Sequence, residues 1–367
     1  MRTIGLLLAL ALAGCATVEA LDQKVSGLLQ PKADAPAPAA AASLEPAEAA
    51  YREGLRYKEG EGVEQSDAKA AEHFRRAAEA GHLEAQFLLG LALQTGRGLP
   101  ENPAEALKWY ESAGGKGHLE AQFLVGLLYL RGEGTARDPA RAVAWFERAA
   151  ERKHTGAQFQ LGLAYATGNG VAQDAARAVE LLETAAGAGH PEAAQMLGEL
   201  YSHGRGVPVD HAWAARWHGK AAAQGIAGAQ YMLGVAFGAG LGLPRQPAEA
   251  YFWFALAAER GHAEAPKLRD ALVPLLPAAE RAKLETRVRT WKPEPASAGW
   301  DRPSVRFLQV ALTGLGFDPG PADGLLGPRT ERALAAYARE RKLGSGGRPS
   351  AEVMQRLREE RLRVAGK

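Results

Sequence analysis

The chain has 367 residues, of which 47% are hydrophobic and 23% are charged. This balance excludes a wholly disordered protein and leaves room for two or three compact units. The net charge of +2 argues neither for nor against nucleic acid binding, but the charge is uneven. Residues 301–367 contain 13 Lys and Arg against 8 Asp and Glu, a net +5, whereas residues 1–300 carry a net −3. The single cysteine, Cys15, excludes an intrachain disulfide.

The N-terminus has the pattern of an export signal. Arg2 precedes an apolar run over residues 4–13 that is too short to span a bilayer. The run ends in Leu-Ala-Gly-Cys at residues 12–15, which resembles the bacterial lipoprotein box. That resemblance implies that residues 1–14 are removed and that Cys15 is acylated. Because Ala16 follows instead of aspartate, it also implies an outer-membrane lipoprotein facing the periplasm. The alternative is an ordinary secretory signal with an incidental cysteine.

Residues 15–44 are predicted to be the lipidated cysteine and a tether. The stretch over residues 32–42 is rich in alanine and proline and poor in large apolar residues, which favours an extended spacer. Before it, Val18, Leu21, Val25 and Leu28 recur at helical spacing. That spacing fits a short amphipathic helix, and a weakly structured leader remains an equal alternative.

Residues 45–262 repeat the same pattern every 36 residues. One glycine keeps this spacing without a break: Gly54, Gly90, Gly126, Gly162, Gly198 and Gly234. In each repeat a helical apolar pattern stops at a Gly-x-Gly pair, and a short loop leads to a helix-capping position. The residues there are Ser66, Asn102, Asp138, Asp174, Asp210 and Gln246. A repeat of two helices and two turns at this period is typical of an α-solenoid.

The phrases at residues 117–126, Gly-His-Leu-Glu-Ala-Gln-Phe-Leu-Val-Gly, and 142–150, Ala-Val-Ala-Trp-Phe-Glu-Arg-Ala-Ala, resemble the SEL-one-like repeats, which are relatives of the tetratricopeptide repeats. The resemblance implies an all-α fold, a right-handed α-solenoid of about six helix pairs that binds proteins and carries no catalytic residues. Residues 263–291 follow as predicted capping helices that close the open end of the solenoid.

Two recurring residue types in the repeats could suggest ligand sites. The histidines are His82, His118, His154, His190 and His262. Equivalent residues of stacked repeats are roughly 10 Å apart, whereas zinc needs its ligands about 2 Å from one point. We therefore predict no metal site and interpret these histidines as helix starts. The tryptophans Trp109, Trp145, Trp217 and Trp253 could form a stacking stripe, but packing between helices is the favoured interpretation.

After a linker at residues 292–300, residues 301–367 are predicted to form a small three-helix domain. Its helices are expected from about Val305, from a cap at Thr330 and from a cap at Ser350. The motif Leu-Gln-xx-Leu-xx-Leu-Gly-Phe-xx-Gly-xx-Asp-Gly-xx-Gly-xx-Thr from Leu308 to Thr330 resembles the peptidoglycan-binding domain of many bacterial wall hydrolases.

The resemblance implies that the loop and the second helix bind the cell wall. Its candidate residues are Asp323, Gly324, Gly327, Arg329, Thr330 and Tyr337. Alternatively, Asp323 and Gly324 only build the turn and Tyr337 belongs to the core. Tyr337-Ala338 also replaces the phenylalanine-glutamine pair common in that family, which removes a polar contact.

The sequence favours a non-catalytic scaffold over an enzyme. Wall-binding domains often accompany amidases or transglycosylases, but the repeats occupy the chain between the two linkers. The whole chain has no thiol nucleophile besides Cys15 and no His-Glu-x-x-His motif, and it has no carboxylate pair outside equivalent repeat positions. The expected partners are peptidoglycan, the membrane through a lipid on Cys15, and an unidentified envelope protein on the solenoid, without nucleic acid or a cofactor. The alternative is an accessory or catalytic component of peptidoglycan hydrolysis or remodelling.

Overall fold

The computed structural model describes residues 46–294, 301–343 and 349–365. The export signal, Cys15, the tether and residues 295–300 of the linker lie outside these ranges. Within them all regular structure is helical, with 17 α-helices, one 3₁₀ turn and no strand. The predicted fold class, a solenoid of six helix pairs followed by a small helical domain, is confirmed. No helix among the described residues is both long and apolar enough to cross a membrane.

The chain divides into two compact units between Gln173 and Asp174. The first unit holds seven described helices: α1 (Pro46–Glu59), α2 (Asp67–Glu79), α3 (Leu83–Thr95), α4 (Pro103–Gly115), α5 (Leu119–Arg131), α6 (Pro139–Glu151) and α7 (Thr155–Thr167). The second unit holds ten: α8 (Ala175–Gly187), α9 (Pro191–His203), α10 (His211–Ala223), α11 (Ala227–Ala239), α12 (Pro247–Glu259), α13 (Ala265–Leu272), α14 (Ala278–Thr290), α15 (Arg302–Gly314), α16 (Pro328–Glu340) and α17 (Ala351–Ala365). The pairs from α1/α2 to α11/α12 are the six repeats.

The second helix of each repeat begins at the predicted capping position. In five repeats the side chain accepts a hydrogen bond from a backbone N–H in the first turn, as Asp138 does from the amide of Arg141 at 3.0 Å. Gln246 occupies the position without such a bond. At Asn102 the helix start has no capping box, since the Glu105 carboxylate accepts from the Asn102 side chain and the backbone N–H of Asn102 donates to the Leu93 carbonyl oxygen.

In the second to fifth repeats the first helix begins at a histidine cap, as predicted for His82, His118, His154 and His190. The Nδ1 of His118 accepts from the amide of Ala121 at 3.1 Å, and its Nε2 lies 3.2 Å from a carboxylate oxygen of Glu84 in α3. Its ring also stacks on Phe87 at 4.4 Å. The same arrangement holds at His82 and His154. It accounts for the repeated His-Leu-Glu-Ala-Gln-Phe phrase, in which the histidine caps its own helix and the glutamate and phenylalanine contact the next histidine along the chain.

His262 departs from that prediction. Its ring stacks on Tyr231 at 4.1 Å, but it caps no helix, because α13 begins two residues later than the register requires, after Glu264. The residues beyond the repeats then turn back on the last pair. In α14, Arg287 pairs with Glu249 at 2.5 Å and lies over the Phe252 ring, so α14 packs against α12.

The recurring glycines are explained by close packing. A Cβ added to Gly90 would lie 2.7 Å from the Tyr110 ring, so the glycine at the centre of the first helix makes room for the ring of the second. The second glycine of each Gly-x-Gly pair has positive φ. From the second repeat onward it also passes close to the preceding repeat, where a Cβ on Gly134 would lie 2.4 Å from the Pro103 carbonyl oxygen. A side chain fits at neither place.

The C-terminal domain is built around α15. Its core consists of five side chains that are 0% exposed: Leu308 and Leu312 of α15, Leu334 and Tyr337 of α16, and Leu357 of α17. Thr330 was expected to begin the second helix, but the helix begins earlier, with Gly327 as its N-cap and Pro328 as its first residue. The amide of Val353 donates to the Ser350 hydroxyl at 3.2 Å, as the expected cap of the third helix requires.

Candidate functional site

The loop between α15 and α16, residues 318–329, is fixed from behind by one buried amide. The Gln309 Nε2 lies 2.9 Å from Asp323 Oδ1, 3.1 Å from the Leu325 carbonyl oxygen and 3.1 Å from Thr330 Oγ1. Its Oε1 accepts from the amide of Gly324 at 2.8 Å. Because Gln309 is 1% exposed, these bonds form in a low-dielectric environment and set the loop conformation.

A second side chain of α15 supports the same loop. Arg306 donates to the carbonyl oxygens of Ala322 at 3.1 Å and Asp323 at 3.2 Å. Burial lowers the pKa of Arg306. Gly324 has φ +78°, and a Cβ there would lie 2.7 Å from the Arg302 carbonyl oxygen, so both the turn and the packing require glycine.

The outward side of the loop combines charge and apolar surface. Arg329 pairs with Asp318 at 2.5 Å, and both side chains are more than half exposed. The hydrogen bonds from Arg329 lower the pKa of the Asp318 carboxyl. Beside them Leu325 is 52% and Leu326 38% exposed, two of the few large apolar side chains that face solvent in the described chain. Such a surface can bind a ligand that offers both carboxylates and apolar groups.

The six predicted wall-binding residues fall into two groups. Asp323 and Arg329 are exposed at the loop, and Gly327 is half-buried at the start of α16. The other three are buried: Gly324 forms the turn, Thr330 donates to the Pro319 carbonyl at 2.8 Å, and Tyr337 is 0% exposed against Phe317. The Tyr337 side chain therefore lies in the core and offers no surface to a wall polymer, which corrects the expectation of a direct contact.

Asp323 has a structural role as well as an exposed position. Burial opposes its ionisation, but hydrogen bonds from the Gln309 amide and the Leu325 N–H outweigh that effect and lower its pKa. Gln309 itself was quoted only as a motif position in the sequence. The signal that could have identified it is a glutamine on the apolar face of a helix, one residue after Leu308, where an unpaired amide would be costly.

The C-terminal domain is seated on the fifth repeat. The Phe307 ring of α15 meets the Trp213 ring of α10 edge-on, with centroids 4.7 Å apart. Pro303 packs against Gly219, where an added Cβ would lie 2.8 Å from the proline ring. Trp213 is 7% and Phe307 1% exposed. We call this interface, formed by α10 and α15 with α17 beside them, the seat.

Charged contacts surround the apolar centre of the seat. Lys220 pairs with Asp301 at 2.6 Å, with both side chains less than one-fifth exposed, and Arg216 donates to the Ser304 hydroxyl at 3.2 Å. Arg361 of α17 donates to the buried Asp210 carboxylate. Burial lowers the pKa of Arg216 to about 10, and its guanidinium lies over the Trp213 ring at 4.5 Å.

The seat is visible in the sequence as a set of exceptions to the 36-residue register. The residues equivalent to Trp213 in the other repeats are charged: Lys69, Glu105, Arg141, Arg177 and Glu249. Gly219 likewise replaces a glutamate found in three repeats, at Glu111, Glu147 and Glu183. An apolar ring and a missing side chain at positions that elsewhere carry charge indicate a covered surface.

The recurring histidines and tryptophans lie at helix starts and packing positions. Among the described residues, no group of three or more His, Cys, Asp or Glu side chains could hold a metal ion. Trp217 and Trp253 are buried, and Trp109 and Trp145 are half-buried. Their positions fit the favoured interpretation of packing between helices.

Comparison with known proteins gives two families. The Sel1 repeat matches six times in succession, over residues 47–82, 83–118, 119–154, 155–190, 191–226 and 227–262. A model for a peptidoglycan binding domain matches residues 301–357.

Solved structures that are similar to the chain include the following two. A protective antigen of uropathogenic Escherichia coli that displays an SLR fold is 27% identical, with a TM-score of 0.62, over 96% of this chain and 72% of that one. A Sel1 repeat protein from Oxalobacter formigenes is 34% identical, with a TM-score of 0.53, over 60% of this chain and 87% of that one. A search of curated proteins finds no match.

Proposed function

This chain belongs to the Sel1 repeat family, and from that premise we propose that it is a non-catalytic scaffold of the cell envelope. Its C-terminal domain binds peptidoglycan, and its repeats bind a protein partner. The observation that carries the proposal is the loop at residues 318–329, held rigid by Gln309 and exposing Leu325, Leu326 and Arg329. Peptidoglycan stem peptides offer the carboxylates and apolar groups that such a surface binds.

The seat supports this arrangement because it uses a different side of α15 from the loop. Pro303, Ser304 and Phe307 contact the fifth repeat, and Gln309 holds the loop. Arg306 does both, since it donates to the loop and lies over the Phe237 ring of α11 at 5.0 Å. The domain can therefore bind a polymer while it stays on the repeats. A wall polymer bound at the loop would then be joined to repeats five and six through the contacts of α15 with Trp213 and Phe237.

A pull-down with purified sacculi tests wall binding. We expect the full chain to sediment with sacculi and a Leu325→Glu/Leu326→Glu variant to bind at least tenfold more weakly, because burying one leucine contributes about 1.5–3 kcal/mol. Arg332→Ala, on the exposed side of α16, is the matched control and should bind normally. Equal sedimentation of the leucine variant and the control would contradict the proposed loop.

Point variants are preferable to truncation here. Deletion of residues 301–367 removes the loop, but it also uncovers Trp213 and leaves the Asp210 carboxylate without Arg361. A loss of sacculus binding in the truncated chain would then have two explanations. The Leu325→Glu/Leu326→Glu variant leaves the seat intact, so a loss of sacculus binding in that variant has a single explanation, the damaged loop.

Membrane attachment belongs to the same proposal and rests on the lipoprotein box at residues 12–15. Two or more acyl chains on Cys15 would hold the protein stably at the membrane, in our proposal the periplasmic side of the outer membrane. Cys15→Ser should move the protein from the membrane fraction to the soluble periplasmic fraction. A variant that stays in the membrane fraction would refute the anchor and leave the wall-binding proposal untouched.

The absence of catalysis is tested separately. The purified protein should give no clearing zone in a zymogram on purified cell walls. A zone that survives purification would favour the alternative, a component that itself hydrolyses peptidoglycan. Chemical cross-linking in cells followed by affinity purification would identify the protein partner of the repeats.

A further inference from the structure

A basic side chain lies over an aromatic ring at the same place in the first and third repeats. The Lys69 ammonium lies 5.1 Å from the centroid of the Tyr57 ring, and the Arg141 guanidinium lies 5.5 Å from that of Tyr129. In both repeats the ring belongs to the first helix and the cation to the second. A cation over a ring face is attracted to it, and more strongly where water is excluded.

In the fifth and sixth repeats the cation over the equivalent ring comes from the C-terminal domain. The residues that these two repeats carry at the register of the cation are Trp213 and Glu249. Arg358 of α17 lies 4.5 Å from the centroid of the Tyr201 ring in the fifth repeat. Arg306 of α15 lies 5.0 Å from the centroid of the Phe237 ring in the sixth. The domain therefore supplies the cation that each of these repeats lacks.

Arg306 also holds the loop at residues 318–329. Its Nε donates to the Ala322 carbonyl oxygen at 3.1 Å, and its Nη2 donates to the Asp323 carbonyl oxygen at 3.2 Å. Because a guanidinium carries its donors in a rigid planar fork, its orientation fixes both hydrogen bonds together. A guanidinium that the Phe237 ring keeps in place therefore presents two aligned donors to the loop.

The surroundings make Arg306 dependent on these few contacts. Burial lowers the pKa of Arg306, and the nearby Arg287 and Arg302 act in the same direction. Glu249 opposes this effect, but its carboxylate is also paired with Arg287 at 2.5 Å. A buried cation that loses a partner is strongly destabilised. The placement of Arg306 therefore depends on the Phe237 ring and the two loop carbonyls together.

We propose that the repeats set the wall affinity of the C-terminal domain through this contact. The Phe237 ring holds Arg306 where it supports the loop, so the loop binds the wall polymer more tightly while the domain is on the repeats. Both are positioning residues, since neither needs to touch the polymer. By reciprocity, a polymer bound at the loop favours the seated domain over a detached one. This inference rests on the proposed wall binding, but the ordering of the loop can be measured without wall material.

Hydrogen exchange of the loop amides gives the first test. The amides of Gly324 and Leu325 both donate hydrogen bonds within the folded loop, so their exchange reports its opening. The residues at the Phe237 register in the other repeats are Tyr57, Leu93, Tyr129, Tyr165 and Tyr201. Phe237→Leu and Phe237→Tyr are therefore both expected to fold. Phe237→Leu should speed loop exchange about threefold to tenfold, whereas Phe237→Tyr, which keeps a ring, should not change it.

A double-mutant cycle separates an effect through Arg306 from a general loosening of the sixth repeat. If the ring acts through Arg306, Phe237→Leu should hardly change loop exchange in a chain that already carries Arg306→Ala. Tyr129→Leu, which removes the ring beneath Arg141 in the third repeat, is the matched control and should leave loop exchange unchanged. Additive effects in the cycle, or a loop that Phe237→Leu leaves as closed as before, would overturn the proposal.

Sedimentation with purified sacculi tests the consequence for wall binding. Phe237→Leu should bind about threefold to tenfold more weakly than the unsubstituted chain, and Phe237→Tyr should bind equally well. If Phe237→Leu opens the loop but binds sacculi as tightly as Phe237→Tyr, the order of the loop does not set the affinity and the proposal is wrong. If the unsubstituted chain fails to sediment, the proposed function fails, and the exchange rates still decide whether the repeats order the loop.

Discussion

The third and fifth repeats share one register but make different contacts. In the third repeat, His154 caps the next helix, approaches Glu120 at 3.1 Å and packs against the Phe123 ring, with centroids 4.4 Å apart. In the fifth, the corresponding aromatic and histidine positions carry Gln195 and Ile226, and α11 begins without a side-chain cap. These contacts of the third repeat lie within the repeats, whereas the fifth repeat also contacts the C-terminal domain through Trp213 and lines a cavity.

The difference teaches how to interpret exceptions in a repeat protein. Trp213 and Gly219 stand where other repeats have charged residues, and they contact Phe307 and Pro303. Ala215 stands where bulkier residues usually pack, and space remains beside it. A residue that departs from the repeat pattern therefore indicates contacts outside the repeats, while a residue that keeps the pattern indicates only the stacking of one repeat on the next.

The largest expected effect comes from removing the centre of the seat. Trp213→Ala should cost about 3–5 kcal/mol, because a nearly buried tryptophan loses its contacts and leaves a cavity. Amide hydrogen exchange in α15 should accelerate more than hundredfold. Exchange is the appropriate measurement, since a chain of two units has no single free energy of unfolding.

The matched control for Trp213→Ala is Trp145→Ala in the third repeat. Trp145 is only half-buried, so its loss should cost below about 2 kcal/mol and leave α15 unchanged. If Trp213→Ala leaves exchange in α15 at its original rate, the seat contributes nothing to the stability of the domain. The comparison of the two repeats would then lose its physical basis.

Local features of the sequence predicted most of the fold. Asp138 as a cap and Gly134 as a turn residue act within a few positions of themselves or at a fixed repeat distance, so the period shows them. Gln309 was missed because its four partners come together only when the loop folds back on α15. Tyr337 was placed on the binding face by resemblance, although its burial against Phe317 depends on packing that no local pattern encodes.

The seat was also missed, for a related reason. Its two halves, α10 and α15, lie about 90 residues apart, and neither Trp213 nor Phe307 is unusual by itself. Trp213 becomes informative only beside Arg141 and Arg177 at the same register. The prediction that His262 begins a helix was wrong. His262 matches the register of the other histidines, but the chain from Ala263 onward leaves the repeat pattern, and the next helix begins later.

A second prediction uses the pH dependence of the fifth repeat. The unfolded chain protonates His218 near pH 6.5, but the folded chain does so only near pH 3. Between these values the unfolded state binds more protons, so stability falls as the pH is lowered. For one group the slope reaches about 1.4 kcal/mol per pH unit, or about 2 kcal/mol between pH 6.5 and 5.

His218→Phe should remove this slope and should also stabilise α10 at neutral pH. Hydrogen exchange of α10 amides, measured for both proteins from pH 7 to 5 and corrected for the intrinsic rate, gives the difference between the two profiles. Other titrating groups, including His203, are common to both chains and cancel. Parallel profiles would show that His218 is not held neutral by burial.

A smaller loss of stability is expected from a variant in the repeats that keep the regular pattern. His118→Ala removes the cap of α5 and the contact with Glu84, and should cost about 1–2 kcal/mol. His118→Asn keeps a side chain that can cap the helix, so it should recover part of the loss. Local opening of α5 by hydrogen exchange measures both. If alanine and asparagine destabilise α5 equally, the ring stack on Phe87 matters more than the cap.

The smallest effect compares two ion pairs built on the same kind of helix cap. Asp301 caps α15 and pairs with Lys220 at the seat, where both side chains are mostly covered. Asp138 caps α6 and pairs with Arg141 at 3.3 Å in solvent. Asparagine caps helices as well as aspartate does, so Asp301→Asn and Asp138→Asn each remove the charge and keep the cap.

Asp301→Asn should cost about 1 kcal/mol, because Lys220 loses its counter-charge where water is scarce. Asp138→Asn should change stability by no more than a few tenths of a kcal/mol, as exposed pairs do. Hydrogen exchange in α15 and α6, at low salt and in 1 M salt, separates the two, since salt screens an exposed pair much more than a covered one. Equal costs with equal salt dependence would mean that the seat is open to water, and that the fifth repeat holds the domain through its apolar contacts alone.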